Sequence, residues 1–299
     1  MRRLLLSVAL LTAFALGAAC DDGGNGDDGG SPTPAVEGPI TPVRGNSELV
    51  VGQNRFAIAL IGPDNEAIIP DEDTSVRLRF LFEGSPMMEE EARFVFAIPR
   101  RTGFFVANVQ FLDAGNWAVQ PVLAQGSDTT VLDELAFTVL EASAVPNVGQ
   151  PAISTDNLTL ATEPNIKRLS TDEDPDPAFY QMTVTQALAA GKPFVVAFAT
   201  PAFCETRFCG PSLDNVKEVQ PEFADRVNFI HIEPYELDAE GSLVVGEDGL
   251  RVTTEPARAW RLLTEPWVFV VDAQGVISAR FEGVASPEEL REALQAALS

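Results

Sequence analysis

The spacing of apolar residues changes near residue 176, and that change narrows most what the chain can fold into. Upstream of it, apolar residues alternate with polar ones in short runs broken by Gly, Pro, Asp and Asn; Val76-Arg77-Leu78-Arg79-Phe80 is the clearest run. A period of two places one face of a strand in a core and the other in water. Downstream, Pro193-Phe194-Val195-Val196-Ala197-Phe198-Ala199 is apolar without a break, as a strand covered on both faces must be. A chain of 299 residues carrying both patterns is expected to build two cores. The material is sufficient: 45% of the residues are hydrophobic and 19 are Phe, which sets the chain apart from disordered sequences.

The first pattern predicts strands over 55–61, 76–82, 94–98, 104–111, 117–123 and 135–140, separated by turn residues. Short strands at such spacing predict an all-β sandwich over residues 46–143. No cysteine lies in that stretch, so core packing alone must hold it. Gly115-Asn116-Trp117-Ala118-Val119 resembles the turn and buried-Trp strand of immunoglobulin-like domains. Met87-Met88 beside Glu89-Glu90-Glu91 offers two thioethers without the further ligands a soft metal needs, so this run is expected to be a solvated loop. Residues 144–175 are rich in Pro, Asp, Asn and Thr and are read as a linker between the two cores.

The N-terminus has the design of an export signal. Met1-Arg2-Arg3 is a positive start, residues 4–16 form an apolar run too short for a comfortable membrane span, and Gly17-Ala18-Ala19 are small. Because the run ends on Cys20, it resembles a bacterial lipobox. The resemblance implies that Cys20 is acylated, becomes the mature N-terminus and holds the protein on the cell membrane, facing the extracytoplasmic side. The alternative is an ordinary cleaved signal with an incidental cysteine. Residues 21–45 are then a Gly/Asp-rich linker, with no apolar residue from Asp21 to Pro34. In such a protein the acceptor pattern Asn157-Leu158-Thr159 carries no expectation of glycosylation.

Charge and histidine content exclude several functions. With 44 acidic against 20 basic residues the net charge is -24, which repels nucleic acid and leaves the lipid as the expected membrane contact. A single histidine, His231, does not make a His-built metal site. No cofactor is expected.

Beyond residue 176, Thr183-Val184-Thr185-Gln186 has the spacing of a capping box, predicting a helix that runs to Ala190 and stops at Gly191. Residues 227–232 and 267–271 are further buried strands, and Asp272-Ala273-Gln274-Gly275 turns into a hairpin partner over 276–281. Ser286-Pro287-Glu288-Glu289 opens a last helix with Leu290, Leu294 and Leu298 on one face. The predicted order is helix, strand, helix, strand, helix, strand, strand, helix: an α/β layer with helices on both sides.

Residues 176–299 resemble the thioredoxin superfamily, particularly its exported thiol-disulfide oxidoreductases. The resemblance rests on Gly191-Lys192-Pro193-Phe194-Val195-Val196-Ala197-Phe198 as the first core strand and Ala199-Thr200-Pro201-Ala202-Phe203-Cys204 as the approach to a redox site. It rests most on Thr264-Glu265-Pro266-Trp267-Val268-Phe269-Val270-Val271-Asp272-Ala273-Gln274-Gly275, similar to the family's proline loop, strand and turn. It implies a cis peptide at Pro266, facing the cysteines; X-Pro is the one bond at which cis costs little.

The family usually separates its two cysteines by two residues, whereas here Glu205, Thr206, Arg207 and Phe208 stand between Cys204 and Cys209. Two alignments stay open. Either Cys204 is the nucleophile and the loop to Cys209 is enlarged, or Cys209-Gly210-Pro211-Ser212 is the motif with Ser in place of its second cysteine. Residues five apart on one helix have Cα atoms about 8 to 9 Å apart, beyond disulfide reach, so one cysteine must lie outside the helix. Gly210-Pro211 predicts a start with Pro at the first helical position, Cys209 at the positive helix end and Cys204 on the preceding loop. That placement favours a thiolate, and Arg207 can add to it.

The resemblance implies a thiol-disulfide oxidoreductase acting on protein thiols and disulfides through Cys204, Cys209 and Pro266. A binding module on an inert thioredoxin scaffold, with a structural disulfide, is the alternative. Copper delivery, with His231 joining the cysteines, is a third reading.

Overall fold

The computed structural model describes residues 38–299; Cys20, the export signal and most of the Gly/Asp-rich linker lie outside them. The alternating segment forms eight antiparallel strands: β1 (Thr41–Arg44), β2 (Gly52–Ile61), β3 (Thr74–Phe82), β4 (Ser85–Ile98), β5 (Thr102–Phe111), β6 (Gly115–Gln125), β7 (Asp128–Val131) and β8 (Leu135–Val139). Their order is β1-β2-β5-β4-β3-β6-β7, with β8 also paired to β6. The 14-residue β4 joins the two halves. Its residues up to Ala92 pair with β3, whereas those from Arg93 pair with β5. The sheet therefore folds over on itself, and its far parts meet again where Val50 bridges Leu140.

The fold-over encloses the period-two residues. Phe56, Phe80, Phe111, Trp117 and Phe137 share one core, in which Phe56–Phe80 and Phe80–Phe111 meet edge-on at 5.1 and 5.7 Å, a favoured geometry for aromatic pairs. Trp117 is buried, and its indole N–H donates to the Asp113 carbonyl at 2.9 Å. The Met87-to-Glu91 run is a strand and not the expected loop. Glu89 pairs across the sheet with Arg79 and also meets Arg77, each at 2.8 Å; these cross-strand partners, invisible to a local reading, let an acidic run occupy a wet sheet face.

The continuous apolar runs build the second half: α1 (Val184–Ala190), β9 (Phe194–Phe198), α2 (Cys209–Phe223), β10 (Asn228–Ile232), α3 (Glu255–Ala259), β11 (Trp267–Val271), β12 (Ile277–Glu282) and α4 (Pro287–Ala297). The capping boxes Thr183/Gln186 and Ser286/Glu289 are both formed, and Gly191 ends α1 at φ 61°, a left-handed conformation suited to glycine. Strand order is β10-β9-β11-β12, with β10 parallel to β9 and β11 antiparallel to both neighbours. This is the thioredoxin-like arrangement. Phe194, Val196 and Phe198 of β9 face a core shared with α1 and Trp260, while Val195 and Ala197 face the core shared with α2 and α4. Burial on both faces is why β9 has no polar position.

Residues 144–175 are packed, not free. Val145 is buried among α1, β9 and β11 residues, and Ala152 N–H donates to Gly275 O at 2.8 Å. The Asn157 side-chain oxygen accepts the Val184 N–H at 2.9 Å, satisfying an open donor of the first turn of α1. Turn-rich composition signalled a lack of regular structure, not a lack of packing.

The two halves are joined by buried charge. Arg55 of β2 donates from Nε and Nη2 to the two carboxylate oxygens of Glu289 on α4, at 2.7 and 3.0 Å. Arg280 of β12 pairs with Glu48 at 3.1 Å, and Ser47 N–H donates to Glu282 at 2.9 Å. The β2-β5-β4 side of the all-β half thus rests on α4 and β12.

Candidate redox site

The chain leaves the sheet at Phe198 and returns as α2 at Cys209; the loop between them carries Cys204. The helix begins two residues earlier than Gly210-Pro211 predicted, so Pro211 is its third residue and not its first. The reason is that no N–H in the first helical turn has an intrahelical acceptor, so proline is tolerated throughout it. The first helical bond runs from Ser212 N–H to Phe208 O at 2.9 Å.

Cys204 and Cys209 form a disulfide with Cα atoms 5.9 Å apart, within the usual range. As expected, one cysteine is helical and the other lies on the preceding loop. Phe208, at the N-cap, gives no side-chain hydrogen bond. The sulfur of Cys204 takes that place, accepting the Cys209 N–H at 3.2 Å. Thr206 donates its hydroxyl to the same sulfur at 3.3 Å. Cys209 is 0% exposed, whereas Cys204 is half-buried and followed by the exposed Glu205, Thr206 and Arg207. A partner can therefore reach Cys204 but not Cys209.

The Glu265–Pro266 bond is cis. Trp267 pairs with Phe198 across β11 and β9, so Pro266 lies at the sheet end from which the cysteine loop departs. Ser212 in the first turn of α2 donates to Gly283 O at 3.2 Å, and Gly283 N–H donates to Pro266 O at 2.9 Å.

His231 lies in β10, 2% exposed, and both ring nitrogens are engaged: Nε2 with Ala199 O at 2.9 Å and Nδ1 with the Tyr180 hydroxyl at 2.8 Å. The carbonyl can only accept, so Nε2 carries the proton and Nδ1 accepts from Tyr180. Burial holds the imidazole neutral, with its pKa pulled down to about 4. The hydrogen bonds leave no free nitrogen for copper ligation.

Three groups at this site had no local signal. Glu233, one residue beyond β10, accepts the Thr171 N–H and hydroxyl at 2.6 Å each, and that hydroxyl in turn accepts the N–H of Ala202 in the cysteine loop at 3.2 Å. Burial pushes the Glu233 carboxyl up to about 7 against the lowering effect of those bonds. Its Oε2 and the nearby Thr200 hydroxyl are both buried, and the Thr200 hydroxyl adds to that lowering effect. Arg251 donates to Phe203 O at 3.1 Å and pairs with Glu205 at 3.5 Å. Phe104 of β5 meets Phe208 edge-on at 5.6 Å. A lone acid after an apolar strand, an Arg in a long loop and a Phe in another core are unremarkable in sequence.

No family model matches the chain, and no curated protein does. Among solved structures it is similar to a thiol:disulfide interchange protein, a thioredoxin family protein from Chlorobium tepidum TLS, at 19% identity and a TM-score of 0.32, over 53% of this chain and 100% of that one. The thioredoxin-like character of the C-terminal half rests on its own strand order, the cis proline and the placement of the cysteines.

Proposed function

We propose that the chain is a thiol-disulfide oxidoreductase of the extracytoplasmic face, in which Cys204 attacks and Cys209 resolves. The observation that carries this reading is the division of surroundings: the reachable sulfur of Cys204 accepts an N–H from the start of α2, and Cys209 is sealed beneath it. In the reduced form the helix end favours a thiolate at Cys204. That thiolate attacks a partner disulfide, forming a mixed disulfide and expelling one partner thiolate. Cys209 then gives up its proton and attacks Cys204 Sγ, releasing the second partner thiolate and closing the bond found here. Two electrons pass to the partner, and an exogenous thiol must return them for another cycle; run backwards, the same steps oxidise a dithiol partner. Pro266 shapes the groove beside Cys204, and the all-β half is an immunoglobulin-like module.

The test is exchange with protein disulfides in thiol buffer. Cys204→Ser abolishes it, and Cys209→Ser traps partners on Cys204 as mixed disulfides; exchange unchanged in both variants makes the disulfide a structural bridge. The tether in this proposal is acylated Cys20, so Cys20→Ser moves the protein from the membrane to the soluble exported fraction. Retention on the membrane would refute the anchor.

A further inference from the structure

The loop between the cysteines is held from outside at both ends. At its start, Arg251 donates to Phe203 O at 3.1 Å and pairs with Glu205 at 3.5 Å, while its guanidinium lies 5.2 Å above the Tyr235 ring. Tyr235 in turn donates to Glu265, the residue before Pro266, at 3.0 Å. At its end, the ring of Phe104, reaching across from β5, meets the ring of Phe208 at 5.6 Å and 80°. Phe208 directly precedes Cys209, so this contact fixes the residue from which α2 starts. The seat of Phe104 is itself made by a glycine: a Cβ on Gly45 would stand 2.7 Å from Phe104 Cε1 and 2.9 Å from Cδ1. Gly45 has no left-handed φ to require glycine; the close approach of the ring does.

The loop needs this hold. Arg207 adopts a left-handed backbone at φ 64°, a conformation unfavourable for an ordinary L-residue, which persists where surroundings enforce it. While the disulfide is closed, the covalent bond restrains the loop. After reduction the loop keeps its own bonds through Thr206 and the Thr171 hydroxyl, and Arg251 and Phe104 hold it from outside, keeping two thiols five positions apart within reach of each other.

We infer that Phe104, seated by Gly45, and Arg251 are positioning residues that keep the reduced cysteines together and thereby set the stability of the disulfide. The inference rests on the thiol-exchange reading and extends it: the all-β half is a working part of the redox site. In glutathione buffer, one oxidised glutathione gives up its S–S bond, the two protein thiols lose two protons and two electrons to it, and one protein disulfide and two reduced glutathiones result. Loosening the reduced loop lowers the effective concentration of one thiol at the other and shifts this equilibrium toward the dithiol.

The experiment equilibrates the full-length protein with glutathione redox buffers and reads the Cys204 and Cys209 peptides by alkylation and mass spectrometry. Phe104→Ala is expected to make the disulfide about three- to tenfold easier to reduce, tenfold being about 30 mV for a two-electron couple. Phe104→Tyr, which keeps the ring, stays near wild type. Gly45→Ala and Arg251→Gln move the equilibrium in the same direction as Phe104→Ala and carry the test if that variant does not fold. Wild-type equilibrium constants in folded variants at all three positions, or a shift toward the disulfide, overturn the inference and leave the exchange reading intact. A wild-type protein whose cysteines do not equilibrate with glutathione ends both.

Discussion

The backbone N–H of Cys209 donates to the sulfur of Cys204 across 3.2 Å, and the two residues otherwise occupy opposite surroundings. One is half-buried beside three exposed residues, and the other is sealed in the core with Leu213 and Val216. The same five-residue step that is too long for a disulfide along a helix thus becomes bridgeable, because only its second member is helical.

In the reduced protein this asymmetry sets the order of chemical modification. Cys204 is expected to react with iodoacetamide at least about tenfold faster than Cys209, since thiol reactivity follows exposure and thiolate character. Timed alkylation followed by peptide mass spectrometry checks this, and equal rates would contradict the assignment of Cys204 as nucleophile.

Glu233 predicts a pH-dependent stability. Its carboxyl titrates at about 7 when folded, because burial raises it from the ordinary 4.5. Between those values the folded state holds more proton than the unfolded chain, so this group's contribution falls as pH rises from about 4.5 to about 7. Above 7 the full penalty, on the order of 3 kcal/mol, applies. His231 acts oppositely: with its folded pKa lowered from 6.5 to about 4, stability is lost as pH falls through that range. In Glu233→Gln the gain over wild type in urea-unfolding free energy should grow between pH 4.5 and 7. A difference that stays flat across that window would exclude Glu233 as its source.

Glu289 is 2% and Arg55 10% exposed at the joint between the two halves. Burial by itself would raise the Glu289 carboxyl, but Arg55, the Ser286 N–H and Arg93 outweigh it and hold its pKa below the usual value. Arg55→Leu removes the two-pronged partner and leaves that carboxylate to the Ser286 N–H and to Arg93 at 3.0 Å, so it should cost about 3 kcal/mol, with the double variant Arg55→Leu/Glu289→Gln recovering part of it. Chemical denaturation of the four proteins of this cycle gives the coupling; additive losses would show that the pair acts independently.

Much of the fold was readable because its causes are local. Thr183 and Gln186, or Ser286 and Glu289, cap a helix three residues apart. The alternation at Val76, Leu78 and Phe80 and the unbroken run of β9 state in advance how many faces are buried. The reading faltered where a residue's environment is made by distant chain: Glu89 became part of a strand opposite Arg79, and Asn157 in an expected linker became a partner of α1.

By itself the sequence determined two hydrophobic periods, two cores, the α/β order, and a cysteine pair that a helix start must divide, since each follows from residues a few positions apart. Only the tertiary structure decided that Phe104 would touch Phe208, that Arg251 would hold Phe203, and that Thr171 would tie Glu233 to the cysteine loop. Those meetings span tens to more than a hundred positions, and they depend on how separately formed surfaces dock. Burial and shape settle that docking; spacing along the chain does not encode it.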